Sequence, residues 1–455
     1  VNAETSLKAR LIHNLQTHRS CLVLSATVGW LGLVQGPSSF AAVHYGASDV
    51  STAVAVDDDY MFVADDENQV IRLFARNTDG LALWEQDFTA DLALTDLDAN
   101  GHPREVDIEA SMRVGNRIYW LGSHSNCGGC NPPGEQRPNR NRLFATDIVG
   151  SGEMARLEYV GRYHNLKQDL IAWDNTNGHG LGAKALQLQA SAAPGVPPEN
   201  GARNGFNLEG LSLSPDGRVA YLGFRSPLTP RSTRTNALVI PLLNFSQLVT
   251  SNPARGPARF GPPVELILGG RGVRSLDSSS NGVVIIAGSV TNKGPFCLYT
   301  WGGTAQEHPV ERFIAQHLAR PEGLIADGAY APGTVVQLID EGSPDFLSEY
   351  AVLGPAIPAL GIPLVTYHGT VQLSILGRVG LAYDIEVSEN GGAWRFLAPV
   401  QVQAAPHLWE GNASPSSDGS RIYRLRYPSR GGSNPPPTTV TSPGSPGGSP
   451  PLLFQ

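Results

Sequence analysis

From about Val43 to Gly354, apolar and polar positions alternate in short runs punctuated by Gly, Asp, Asn and Pro. Stretches such as Thr52 to Ala64, Asn116 to Gly122, Arg218 to Phe224, Gly282 to Ala287 and Thr334 to Ile339 carry the two-residue period of strands closed by turns. Successive meanders of this kind predict repeated antiparallel sheets, and their radial repetition is a β-propeller. At about 45 residues per blade, the roughly 310 residues of the segment accommodate six blades, with seven as the alternative. Six is favoured because two long loops absorb length. One is the polar Asn126 to Asn141; the other, Gly178 to Asn204, contains the Ala-rich Leu181 to Ala193 and is expected to hold a short helix.

The pattern changes after Gly354 to Pro363. Gly369 to Gly377, Ala382 to Ser388, Trp394 to Leu397 and Arg421 to Arg426 alternate at the spacing of a small β-sandwich. The fold expected is therefore all-β: a six-bladed propeller over 43–354, then a β-sandwich module over 360–428 that carries no catalytic constellation. Residues 429–455 are rich in Pro, Gly and Ser, cannot bury a core, and are expected to be disordered.

Composition agrees with an all-β chain. Of 455 residues, 51 are Gly, 35 are Pro and only 16% are charged, which leaves little material for long surface helices. The net charge of −8, with no basic stripe, excludes a nucleic-acid footprint. Lys8, Arg10 and Arg19 precede the apolar run Cys21 to Val34 and the small-residue end Phe40-Ala41-Ala42, the layout of a signal peptide over 1–42. That run of about 14 residues is short of the ~20 a membrane span needs. The alternative is a buried element of the mature domain. On the first reading the mature chain has no membrane span and is secreted or periplasmic, and a monomer is expected. In an oxidising compartment Cys127-Gly-Gly-Cys130 most simply forms a local disulfide, since a second pair of zinc ligands and a βαβ redox setting are both missing.

Carboxylates recur at the starts of strand-like runs: Glu109 in Asp107-Ile-Glu-Ala, Glu209 in Asn207-Leu-Glu-Gly-Leu, and Glu322 in Arg320-Pro-Glu-Gly-Leu. In a propeller, residues at the starts of innermost strands ring the mouth of the central channel. Like charges converging there are tolerable if a hard cation such as calcium (Ca2+) binds them or cationic side chains interleave. The competing role is structural, with each Glu capping backbone N–H groups of a neighbouring blade. Asp65-Asp66-Glu67 form a tighter acidic cluster, compatible with a cation site or with a solvated turn. Arg225, and Arg274 in a Gly-rich turn, can grip an anion bidentately or pair with these acids. His124, between Ser123 and Ser125, is the candidate general acid/base, and a hydrogen-bonding loop residue otherwise. The chain has no Gly-x-Ser-x-Gly elbow, His-Glu-x-x-His, Walker loop or Rossmann fingerprint.

The phrases Val63 to Asn68, Asp107 to Glu109, Gly122 to His124, Arg142 to Thr146, Phe206 to Leu211, Gly223 to Leu228 and Gly269 to Ser275 resemble, in order, the signature of a bacterial propeller-like family catalogued as domain of unknown function 3616. That resemblance implies a fold and no activity. Glu209-Gly-Leu followed by Pro215-Asp-Gly is also similar to phytase-related esterase-like and lactonase-like propellers, in which a strand-initial Glu can ligate a divalent metal over the channel. The function expected is an exported hydrolase that assists attack of water on an anionic ester, phosphoesters preferred. Glu109, Glu209 and Glu322 would hold Ca2+, Arg225 and Arg274 would orient the small anionic substrate, and His124 would move protons. The alternative is a propeller that binds an extracellular ligand, or acts as a scaffold, without chemistry.

Overall fold

The computed structural model describes residues 41–250, 256–291, 295–314 and 318–357, together with parts of 359–441. The expected leader lies outside the described residues except for Ala41 and Ala42, which belong to a strand. The chain divides into two compact units, one of which comprises Ser39–Ile357.

Among the described residues that unit is built of five sheets, antiparallel except where Gly80–Leu81 joins Ala41–Tyr45 in parallel. The first four blades each take four strands in chain order, with innermost strands Val50–Ala55, Ile108–Val114, Asn207–Leu213 and Gly272–Ser279. The fifth starts at Pro321–Ile325, continues through Val335–Asp340 and Phe346–Val352, and is completed by Ala41–Tyr45 from the other end of the segment. Each innermost strand packs beside the next, and the fifth packs beside the first, so the blades close a ring about a central channel. Five blades, and not the six expected or the seven held as the alternative, share the segment. The difference went into connections: Phe88 to Asp107, the cysteine loop, and above all residues 164–206, which contain the helix Leu166–Asn175 and the short helix Leu188–Ser191. The second of these lies in the Ala-rich stretch, as expected; the first was not anticipated.

Apolar side chains fill the spaces between adjacent blades. Phe62, Ile71, Ile118 and Trp120 belong to one inter-blade cluster, and Leu208, Leu222, Leu238 and Ile240 to another. All are fully buried.

The described part of the second unit consists of two four-stranded sheets. One is centred on Val371–Leu376, the other on Ala382–Glu389. Leu373 and Ile375 from the first share a core with Tyr383, Ile385, Tyr423 and Leu425 from the second, as in a β-sandwich. Thr438–Thr441, within the segment expected to be disordered, forms an edge strand on Arg421–Arg426. Four β-branched residues in a row favour that extended conformation over the local Pro/Gly/Ser composition.

Candidate functional site

All five innermost strands share one irregularity. Near its start each skips a residue in the pairing with the second strand of its blade: Ser51, Glu109, Glu209, Arg274 and Glu322 in blade order. Such a β-bulge leaves the extra residue out of the ladder and re-aims its side chain. Repeated five times around a closed ring, it delivers one side chain per blade to the same end of the channel. Four of these residues were expected at the mouth; Ser51 was not, because a hydroxyl carries no charge to draw attention in a sequence.

The structure splits the three glutamates between two settings. Glu209, fully buried, lies 2.9 Å from Arg225 Nη1 through Oε1, and its Oε2 is 3.1 Å from Arg274 Nε, an ion pair too poorly aligned to be a hydrogen bond. Arg274 also pairs with Glu322, and Arg225 with Glu199 at 2.8 Å. Asn207 Nδ2 donates to Glu209 Oε1 at 2.7 Å. Glu209 and Glu322 are thus held by guanidinium groups and do not join Glu109 in a carboxylate set for calcium. The same pairs occupy Arg225 and Arg274, which removes them as orienters of an anionic substrate. Buried charges persist when paired in this way.

Glu109 instead belongs with Asp66 and Asp107. One carboxylate oxygen from each lies within 4.8 Å of the others. Asp66 follows the second strand of blade 1 (Tyr60–Asp65), whereas Asp107 and Glu109 begin blade 2, so adjoining blades supply the group. Asp107 sits at φ +59°, a left-handed conformation costly for a residue with a Cβ, and its carbonyl accepts the Ser123 N–H at 2.8 Å. Arg140 compensates part of the charge, reaching Asp107 at 2.8 Å and Glu105 at 2.7 Å. It is placed by the short 3-10 turn Pro138–Arg140 at the end of the loop that carries the Cys127–Cys130 disulfide.

The charge balance at this group shows in its acidities. Burial, then repulsion from Glu209, Asp107 and Asp66, raises the Glu109 carboxyl well above the usual range. Burial likewise raises Asp107, against the pull of Arg140. Asp66 is pushed up to about 8 by burial and by the neighbouring acids, Asp107 first. Of the three consecutive acids, Asp65 turns away to pair with Arg72 at 2.7 Å and Glu67 is exposed. Asp66 and Asp107 were both visible in acidic phrases of the sequence. What marks them as partners is their closeness across a blade boundary, which no local pattern encodes.

His124 does not have the properties of a proton shuttle. Its ring is fully buried, Nδ1 is 2.7 Å from the Gly122 carbonyl, and Nε2 has no hydrogen-bond partner. Burial lowers its pKa to about 3, so the ring is neutral at ordinary pH. Its carbonyl accepts a hydrogen bond from Lys167 Nζ at 2.8 Å, which ties the long loop to blade 2.

Among the described residues no helix is long and apolar enough to cross a membrane. The family described as "Protein of unknown function (DUF3616)" matches residues 49–145 and 195–325, together half of the chain, and the matched segments include Ser51, Asp66, Asp107, Glu109, Arg140, Glu209, Arg225, Arg274 and Glu322. No curated protein matches the sequence. Solved structures with some similarity include the exo-β-1,3-galactanase of Phanerochaete chrysosporium with β-1,3-galactotriose, at 9% identity, 76% of this chain, 97% of that chain and a TM-score of 0.22. The same enzyme with galactose covers 70% of this chain and 91% of that chain, at 9% identity and a TM-score of 0.20. At such scores the likeness bears on neither the fold nor the activity of this chain.

Proposed function

The chain belongs to the DUF3616 family, and from that premise we propose that it is a metal-dependent hydrolase whose cation is held at the channel mouth by Asp66, Asp107 and Glu109. The observation that carries this reading is the meeting of three desolvated carboxylates, with the Arg140 guanidinium paired to Asp107 and the charge of Arg274 also acting on Glu109. An all-oxygen donor set suits a hard cation. Calcium accepts irregular coordination by carboxylates, carbonyls and water, and magnesium or manganese uses the same donors. Bound there, the cation would supply an activated water and a Lewis acid for an ester carbonyl or phosphoryl oxygen. The chain's own part is to hold it at the axis and to keep Asp107 oriented through Arg140. With Arg225 and Arg274 already paired, the preference for phosphoesters loses its support, and the substrate class is an ester of either kind. Export belongs to the same proposal, supported by the Cys127–Cys130 disulfide, a bond that persists in oxidising compartments.

A second reading, a ligand-binding or scaffolding propeller without chemistry, is favoured by one feature. The Glu209–Arg274–Glu322 and Arg225 pairs knit blades 3, 4 and 5 at the mouth with no cofactor. Metal analysis of the purified protein, joined to a panel of chromogenic phosphoesters, carboxylic esters and lactones with and without chelator, separates the two. About one divalent cation per chain, lost in Asp107→Asn, with chelator-sensitive turnover is the expected result. A bound cation without turnover on any ester favours the binding protein, and no cation at all removes the hydrolase.

A further inference from the structure

We propose that the channel carries a second ligand site, at the end opposite the carboxylates, for a neutral polyhydroxylated molecule of the size of one or two sugar rings. The site is a cavity of about 410 Å3 to which every blade contributes, through Thr52, Ser111, Leu213, Ser275 and Ile325 among others. These residues lie past the bulged positions, and the turns that follow the innermost strands, at Gly115, Gly217 and Gly328, form the rim. The cavity therefore opens where the innermost strands end, whereas Glu109, Glu209 and Glu322 stand where they begin. None of those acids lines it. Its volume falls in the range typical of small-molecule sites, about 300–1,000 Å3.

The lining selects for hydroxyl chemistry. Thr52 and Ser111, from adjacent blades, share a hydrogen bond at 2.6 Å, which uses one of their two O–H groups and leaves the other donor and several lone pairs. Ser275, Ser278 and Ser280 add hydroxyls from blade 4. Between them Met112, Leu276 and Leu324 offer apolar surface suited to the C–H face of a pyranose.

Charges near the cavity are already committed, which argues for a neutral occupant. Arg113 directs Nε to the Gly115 carbonyl and Nη1 to the carbonyls of Ala55 and Val56, each at 2.7 Å. Asp277 accepts the N–H groups of Ser278 and Ala326, both at 2.7 Å, and Asp327 pairs with Arg76. An anion would meet the carboxylates of Asp277 and Asp327 in the lining, whereas a polyol exchanges hydrogen bonds with water and hydroxyls alone.

Saturation-transfer NMR and titration calorimetry on the whole chain test the site, with glucose, xylose, maltose and myo-inositol as probes, glucose 6-phosphate and gluconate as charged controls, and each measurement repeated in EDTA. At least one neutral probe is expected to bind with Kd of about 1 mM or tighter, unaffected by chelation. Thr52→Val, which keeps shape and removes a hydroxyl, should weaken that binding by about three- to tenfold, and Ser278→Phe should abolish it by filling the cavity. Failure of every neutral probe, tighter binding of a charged control, loss of binding in EDTA, or an unchanged Kd in Thr52→Val would each overturn the proposal. Should Ser278→Phe not fold, Thr52→Val alone decides. Because chelation separates the two ends of the channel, failure here leaves the metal site standing, and failure of the metal site leaves this one.

Discussion

Two glutamates at equivalent bulges, Glu109 and Glu209, illustrate how neighbours assign a role to a side chain. Glu209 is shared by Arg225 and Arg274, so Glu209→Gln removes one carboxylate from each of two buried guanidinium groups and leaves them Glu199 and Glu322. Removing one partner of a buried pair costs about 3 kcal/mol, and chemical denaturation of Glu209→Gln should show a loss of that order whether or not calcium is present. Glu109 has the opposite sign. Its folded-state pKa is raised, as are those of Asp66 and Asp107, so between the unfolded carboxylate pKa near 4 and the folded value of about 8 for Asp66 the native state binds more protons than the unfolded chain. Stability of the chelated protein is then greatest at the acid end of that window and falls as pH rises through it. Thermal unfolding in EDTA at pH 5, 6.5 and 8 should show a declining Tm, and added calcium should restore most of it at pH 8. Glu109→Gln, which removes one repelling charge, should raise the Tm of the chelated protein at pH 8 and abolish the calcium response. A Tm that climbs from pH 5 to 8 in EDTA would mean that these carboxylates are not crowded in solution.

At the scale of strands, the mouth depends on glycines where the bulged strand passes its neighbour. A Cβ on Gly272 would press into the Arg225 backbone carbonyl, and one on Gly122 would meet the carbonyls of Arg140 at 2.5 Å and Val106 at 2.7 Å. Backbone atoms cannot rotate away as a side chain would, so each substitution displaces a strand. Gly272→Ala is expected to cost about 2–3 kcal/mol, read as a lower urea midpoint, and to disturb the Arg225–Glu209 pair that adjoins it. Gly80→Ala meets nothing within 4 Å and serves as the control, with an unchanged midpoint.

At the scale of the whole ring, the fifth blade closes only because the strand Ala41–Tyr45 returns to pair with Phe346–Val352. His44 anchors this strand: its ring stacks on Phe346 at 4.5 Å, and Nε2 lies 2.9 Å from Ser348 Oγ. A chain beginning at residue 39 should melt like one carrying every preceding residue, whereas one beginning at residue 47 should lose several degrees of Tm or fail to fold, since it exposes the edge of the fifth sheet. Equal melting of the two shortened chains would show that the closing strand is dispensable. The same pairing bears on processing: cleavage before Val43 would remove Ala41 and Ala42 from the strand and leave His44 in place.

Alternation of apolar and polar residues was enough to read an all-β chain with two different β-rich parts, because side chains on a strand alternate faces and the pattern is local. Strand-initial acids were enough to place Glu109, Glu209 and Glu322 near one mouth, for the same reason. Blade number was not legible, since a connection such as 164–206 can hold a helix and contribute no strand. Nor was the division of the acids into a paired group and a crowded one. Asp66 and Glu109 are 43 residues apart, and Arg274 reaches Glu209 from 65 residues away. Which carboxylate meets a guanidinium and which meets another carboxylate is set by how adjacent blades rotate about the channel, a tertiary quantity that fixes each pKa and so decides where a cation can bind.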